Sequence, residues 1–171
     1  GESVKPFYSA CVRWFLIRFV CMKLELELKN SKPIPVRRRA MLNILFTASW
    51  LDCLLNRHLR EYDLTHPQFN ILRILNGSPD GLTVLDIKSR MIDRSSNVSR
   101  LVEKLRSAGW VARAPHQRDR RMVTVTLSSA GKTLLRKIEQ GGLFRAENLP
   151  GGKLTDAEMI ELADLLDKFR E

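Results

Sequence analysis

Residues 122–127 read MVTVTL and alternate strictly between two faces of an extended chain. Val123, Val125 and Leu127 fall on one face, and the two threonines fall on the other. A period of two residues predicts a β-strand that buries one face and exposes the other. This segment therefore needs a core to pack against, and most of the rest of the sequence must supply that core from helices.

The segment before this strand is strongly basic. Residues 110–114 are predicted to form the antiparallel partner, and 115–121 the connecting loop. Three arginines lie in that loop, and Arg113 lies just before it. A half-buried strand can hold such a loop rigidly while the arginines reach outward to a partner.

Most of the remaining sequence has helical periodicity. Apolar residues spaced by three and four predict a long helix over about 36–61. The leucines at 24, 26 and 28 alternate with glutamates and predict a short extended segment. Capping motifs and a glycine C-cap at Gly109 delimit the shorter helices. These are predicted from Thr65 to about 75, from Thr83 to about 91, from a cap at Asp93 or Ser95 to about 108, from 130 to 140, and from Thr155 onward.

Three short helices followed by a hairpin form a winged helix-turn-helix. A helix fits the major groove of DNA, and an adjacent basic hairpin can reach the minor groove. The predicted fold is therefore mainly α with a small β-hairpin wing, a DNA-binding domain flanked by long dimerisation helices. The predicted regions are an N-terminal extension over 1–33, a dimerisation helix over 34–63, the winged domain over 64–132 and C-terminal dimerisation helices over 133–171.

The charge distribution favours a polyanionic partner. The chain has a formal net charge of +10 and a sequence pI of about 10.0. Residues 64–136 carry 13 basic and 5 acidic side chains, whereas 137–171 carry 5 basic and 8 acidic ones. Residues 1–63 carry 11 basic and 6 acidic side chains, so the largest excess of positive charge lies in the segment that contains the predicted winged domain. The acidic tail is expected to face away from DNA.

Four motifs occur in order along residues 64–131, and together they resemble the MarR family of bacterial transcription regulators. They are LTxPQF from Leu64, SRLVxxL from Ser99, GWVxR from Gly109 and DxRxxxVxLSxxG from Asp119. The resemblance implies that the protein is a cytoplasmic, sequence-specific regulator of transcription and that it acts as a repressor. It also implies a homodimer on a pseudo-palindromic operator in double-stranded DNA.

The resemblance also assigns DNA-contacting residues. Arg121 matches the wing arginine that enters the minor groove, and Asp119 matches the acid that orients it. The predicted contact set on the recognition helix is Ser95, Ser96, Asn97, Ser99, Arg100 and Lys104. The predicted set on the wing is Arg113, Arg118, Asp119, Arg120 and Arg121.

Many members of this family bind small aromatic or phenolic anions, and three residues are candidates for such an effector pocket. Trp50 and His58 lie on the long helix, and Phe69 lies on the next helix. Plain core packing is the alternative interpretation of all three. The sequence has no feature that identifies the effector.

Other function classes have little support in the sequence. It contains none of the common catalytic or phosphate-binding motifs, and its three histidines have no metal-ligand spacing. Neither catalysis, a metal nor a cofactor is therefore expected. No segment is long and apolar enough to suggest a membrane span. The open alternatives are a winged-helix module for protein–protein contact and a regulator that senses oxidants through cysteine.

The cysteines favour a reducing, cytosolic compartment, since they form no C-x-x-C pair. Cys53 lies on the apolar stripe of the long helix, where a cysteine usually acts as a small hydrophobic residue. Cys21 is the better candidate for a reactive thiol. No cysteine occupies the position near Arg37 at which some relatives carry a sensor, so DNA binding is expected to survive oxidation.

Overall fold

A computed structural model describes residues 23–29, 32–115, 123–144 and 148–171. The chain divides into two compact units, one before and one after the boundary between Leu51 and Asp52. The predicted wing loop and most of the predicted N-terminal extension, including Cys21, lie outside the described residues.

The first unit contains a short helix, α1 (Leu24–Glu27). The sequence predicted an extended segment at this position, and that prediction is wrong. The backbone N–H of Leu28 donates to the carbonyl of Leu24 at 2.9 Å, which closes a helical turn. Glu25 also pairs with Arg39, and Leu24 is buried. The three-leucine alternation was too short to distinguish a strand from a single helical turn.

The long helix α2 (Val36–Leu59) begins where the sequence predicted, and a 3₁₀ turn (Arg60–Tyr62) follows it. This helix crosses the boundary between the two units. The second unit then contains the winged domain and the C-terminal region. Its other elements are α3 (His66–Asn76), β1 (Leu82–Thr83), α4 (Val84–Arg90), α5 (Val98–Ser107), β2 (Val111–Pro115), β3 (Val123–Leu127), α6 (Ser129–Gln140), a 3₁₀ turn (Gly142–Phe144) and α7 (Asp156–Phe169).

The predicted capping motifs define several helix starts. Thr65 and Gln68 form a capping box at α3, and Thr83 with Asp86 forms another at α4. The Thr155 hydroxyl accepts a hydrogen bond from the backbone N–H of Glu158 at the start of α7. These contacts join residues three apart, so the sequence pattern alone can predict them.

The sheet has three antiparallel strands in the order β1-β3-β2. The hairpin register pairs Val111 with Leu127 at one end and Pro115 with Val123 at the other. The sequence predicted two strands, and β1 is an addition, because a two-residue strand generates no periodic pattern. Val123 is 45% exposed, against the prediction that it shares the buried face of Val125. It differs because it lies at the end of the hairpin, beyond the helices that cover Val125.

Helices α3 to α6 and the central strand pack into one hydrophobic core. The side chains of this core come from every element of the winged domain, so the recognition helix and the hairpin share one support. The fully buried side chains are Leu59, Ile71, Leu72, Leu75, Ile87, Val102, Leu105, Val125, Leu135 and Ile138.

Candidate nucleic-acid interface

Helix α5 is strongly two-sided. Val98, Val102 and Leu105 are buried on one side, as the helical spacing predicted. Arg100 and Lys104 are exposed. The apolar side fixes the helix to the core, and the polar side is left to contact a partner.

The turn before α5 differs from the prediction. Ser95, Ser96 and Asn97 precede the helix and are not part of it, because α5 begins at Val98. Asn97 is the N-cap, and its side-chain oxygen accepts a hydrogen bond from the backbone N–H of Arg100 at 3.1 Å. The predicted cap at Asp93 or Ser95 is therefore wrong.

Asp93 instead organises the turn. Its carboxylate accepts hydrogen bonds from the Ser95 backbone N–H at 2.9 Å, from the Ser95 hydroxyl at 2.6 Å and from the Ser96 hydroxyl at 2.7 Å. The hydrogen bonds from Ser95 and Ser96 lower the pKa of Asp93 below its usual value. The two serines and Asn97 thus form one ordered turn at the positive end of the α5 dipole.

Arg100 and Lys104 are the most available cations of α5. Both are exposed, and no described residue forms an ion pair with either side chain. Ser99 is also exposed and lies beside Arg100 in the first turn. These side chains are the ones that the recognition-helix prediction requires to face outward.

Arg113 has a different environment. It lies on β2, and its Nη1 is 3.2 Å from Oε2 of Glu103 on α5. Glu103 also accepts hydrogen bonds from Arg106, at 3.1 Å and 3.2 Å from Nε and at 2.6 Å from Nη2. The hydrogen bond from Arg106 lowers the pKa of Glu103 below its usual value, and the charges of Arg106 and Arg113 act in the same direction. We call these three residues the Glu103 cluster, which the sequence did not reveal because Arg113 is distant along the chain.

The wing residues Arg118, Asp119, Arg120 and Arg121 lie outside the described residues. The strands that lead into and out of this loop are described, and their last pair is Pro115 with Val123.

Two of the three candidates for the effector pocket, His58 and Phe69, lie around Phe144, which was not among the residues predicted from the sequence. The Phe144 ring is 4.6 Å from that of Phe69 and 5.6 Å from that of His58, between centroids. Phe69 is buried, and Nε2 of His58 is buried with no hydrogen-bond partner in the part of the chain that the structure describes. Trp50 is half-buried and lies in the other unit.

Cys53 is exposed on α2, so the prediction that it packs as a small hydrophobic residue does not hold for the single chain.

Over the described ranges, no group of three or more His, Cys, Asp or Glu side chains could hold a metal ion. Within the same ranges, no helix is long and apolar enough to cross a bilayer.

Comparison with known proteins gives a consistent result. A model of the MarR family matches residues 62–122. The HTH-type transcriptional regulator TtmR of Methylorubrum extorquens (strain PA1) is 33% identical over 81 residues, which cover 47% of this chain and 41% of TtmR. The HTH-type transcriptional regulator PecS of Dickeya dadantii (strain 3937) is 27% identical over 114 residues, 64% of this chain and 69% of PecS. The chain therefore spans less than half of TtmR and about two thirds of PecS.

A solved structure is similar over a longer stretch. It is a cysteine-to-serine mutant of MarR from E. coli in complex with operator DNA, at 29% identity and a TM-score of 0.67. The similarity covers 86% of this chain and 99% of that one. The curated relatives are transcriptional regulators and not enzymes. Residues 62–122 thus match the MarR family model, and the recognition-type helix beside a β-hairpin makes this chain similar to the winged-helix transcriptional regulators of that family.

Proposed function

We propose that this protein is a sequence-specific, double-stranded DNA-binding regulator of transcription, and a repressor. The observation that carries the proposal is the arrangement of α5. Its apolar side is fixed in the core, and Arg100 and Lys104 project from the opposite side. Such a helix can enter the major groove with its first turns against the base edges.

The surroundings of α5 support this role. The ordered turn at Ser95, Ser96 and Asn97 lies at the helix N-terminus, where backbone N–H groups and the helix dipole favour phosphate. The hairpin places the loop that contains Arg118, Arg120 and Arg121 next in sequence after β2. The charge of residues 64–136 agrees with a partner that presents phosphates.

A DNA-binding titration tests the proposal. An operator is first selected from random duplexes with the purified protein, and binding to it and to a scrambled duplex is then measured at two salt concentrations. We expect tighter binding to the selected duplex and a log-log salt slope of about −0.9 for each phosphate contact. A winged-helix module for protein–protein contact would bind neither duplex in this way, and that result would refute the proposal.

We also propose that the protein is a homodimer formed by residues 34–63 and 133–171. Helix α7 supports this, because its apolar side chains Ile160, Leu165 and Phe169 are 63%, 57% and 57% exposed in the single chain. On α2, Leu45 is 59% exposed. Apolar surface of this kind on long helices is typical of subunit interfaces.

Sedimentation velocity should therefore show a dimer at micromolar concentration. Ile160→Glu together with Phe169→Glu should shift the protein to monomer, because charged side chains would be buried at the interface. Lys168→Glu is the matched control. It also makes α7, which already carries Glu158 and Glu161, more acidic, but it leaves the apolar side chains of the proposed interface in place. A wild-type protein that sediments as a stable monomer would contradict the proposal.

The final part of the proposal is release by a small aromatic or phenolic anion. The family resemblance supports it, as does the aromatic cluster in which the buried Nε2 of His58 lacks a partner among the described residues. Repeating the operator titration with simple benzoate- and phenol-type anions tests this part.

A regulator of this kind works in the cytoplasm, where its DNA lies.

A further inference from the structure

Glu103 is an unusual residue for a surface that would contact DNA. Residues 94–115 contain five basic side chains and a single acidic one, which is Glu103. It lies between Arg100 and Arg106 on α5, the helix that the proposed function places in the major groove. A carboxylate at this position would repel phosphates, so its presence requires a reason.

The contacts of the carboxylate supply that reason. One guanidinium comes from Arg106 in the next helical turn, and the other comes from Arg113 on β2. The three side chains are 45%, 49% and 33% exposed, for Glu103, Arg106 and Arg113. The cluster therefore lies at the surface, where its arginines could contact a phosphate if the carboxylate did not already bind them.

The cluster also differs from the cations beside it. Arg100 and Lys104 have no ion-pair partner among the residues that the structure describes. The basic side chains of this surface thus fall into two sets, one available and one already paired with an internal anion. Guanidinium groups bind carboxylate and phosphate with the same hydrogen-bond geometry, so the two anions compete directly.

We infer that Glu103 acts as an internal substitute for phosphate that restrains Arg106 and Arg113 and thereby weakens binding to non-operator DNA. This inference rests on the proposed function and adds a specificity-determining residue to it. On an operator, the base contacts of the first turns of α5 fix the position of the protein. On random DNA, binding depends on phosphate contacts alone, so paired arginines reduce it more.

The expected size follows from the exposure of the cluster. An arginine has to leave Glu103 before it can bind a phosphate. The need to break one exposed ion pair in this way lowers the association constant for DNA about 1.4- to 5-fold. Each additional phosphate contact makes the log-log salt slope more negative by about 0.9. Removing the restraint should therefore tighten random-DNA binding several-fold and steepen its salt dependence by about one unit for each arginine released in each subunit.

Glu103→Gln is the decisive variant, because glutamine keeps the length of the side chain and one acceptor for Arg106. We expect about 3- to 10-fold tighter binding to a scrambled duplex at low salt, a steeper salt slope and a change of less than about twofold on the selected operator. The ratio of operator to random affinity should fall accordingly. In an Arg113→Ala background, the gain from Glu103→Gln should be smaller.

Glu139→Gln is the matched control. Glu139 also pairs with an arginine, at 3.3 Å from Nη1 of Arg73, but on α6 and α3. The control makes the same change in net charge, so any general effect of charge appears in both variants. Thermal unfolding of each variant establishes that both are folded.

Several outcomes would overturn the inference. Weaker binding of Glu103→Gln to both duplexes would mean that Glu103 positions Arg113 on DNA. Equally tighter binding of Glu103→Gln and Glu139→Gln to the scrambled duplex would assign the effect to net charge. If Glu103→Gln tightens this binding just as much in the Arg113→Ala background, Glu103 does not restrain Arg113. If the wild-type protein fails to bind DNA with salt dependence, the proposed function itself fails, which is a separate result.

Discussion

Gly131→Ala is expected to lower the free energy of unfolding by about 1–3 kcal/mol, the usual cost of inserting an atom into a closely packed site. Gly131 is buried in the first turn of α6. A Cβ atom at this position would lie 2.1 Å from the carbonyl oxygen of Trp110 and 2.9 Å from Cδ1 of Leu127. The nearest atom belongs to the backbone, so a change of side-chain rotamer cannot relieve the clash.

The same carbonyl of Trp110 accepts a hydrogen bond from the Ser128 backbone N–H at 3.0 Å. The Ser128 hydroxyl caps α6 and also donates to the carbonyl of Gly109 at 2.7 Å. Displacing α6 would strain these bonds and move the start of β2. We therefore expect Gly131→Ala to weaken DNA binding as well as stability.

Denaturant unfolding checks this prediction. Gly152→Ala is the matched control, because a Cβ atom there meets nothing within 4 Å. The control should unfold within about 0.5 kcal/mol of the wild-type protein, as exposed substitutions usually do. If Gly131→Ala unfolds at the same denaturant concentration as the control, the close approach of α6 to the hairpin does not constrain the fold.

Arg100→Ala is expected to cost about 1–3 kcal/mol in operator binding, or about 5- to 150-fold in affinity. Arg100 is exposed in the first turn of α5 and has no ion-pair partner among the described residues. In the major groove it can bind the O6 and N7 atoms of a guanine with two hydrogen bonds. Its loss should therefore relax sequence preference at one position in each half-site.

Arg121→Ala should have a different signature. The family resemblance places Arg121 in the minor groove, where arginine responds to groove width and not to one base. Its loss should weaken binding to all duplexes more evenly and reduce the salt slope by up to one unit per subunit. Asp119→Ala should act in the same direction but more weakly, because the arginine remains and loses only its support.

Competition binding against a panel of single-base operator variants distinguishes the two arginines. Arg73→Ala on α3 is the control, since it removes one exposed positive charge outside the proposed interface. Because Arg100 is exposed, its replacement should leave thermal unfolding unchanged. Operator and random binding as tight as the wild type in both arginine variants would show that this helix and wing do not contact DNA.

The elements of the fold that were predicted correctly depend on contacts between residues close in sequence. The boxes Thr65–Gln68 and Thr83–Asp86 join residues three apart, and the buried side of α5 repeats every three or four residues. Gly109 ends α5 in the left-handed region at φ 79°, where glycine is favoured. Each of these signals is complete within one or two helical turns.

The errors occur where several local solutions compete or where the pattern is very short. Asp93, Ser95 and Asn97 can all cap a helix, and their order in the turn decided the outcome. Asp93 bonds to the serines that follow it, which leaves Asn97 to cap α5. Residues 24–28 fit either a strand or one turn of helix until Leu24 is packed and Glu25 is paired.

The sequence by itself determined the order of the helices, the hairpin, the outward side of α5 and the family resemblance, because periodicity, caps and charge are local properties. Tertiary structure alone decided that Leu82 and Thr83 form a third strand on β3, since two residues become a strand only by pairing with a distant one. It also decided that Glu103 pairs with Arg113. Nothing local to α5 or β2 specifies that contact, which exists because the shared core holds the helix and the strand side by side.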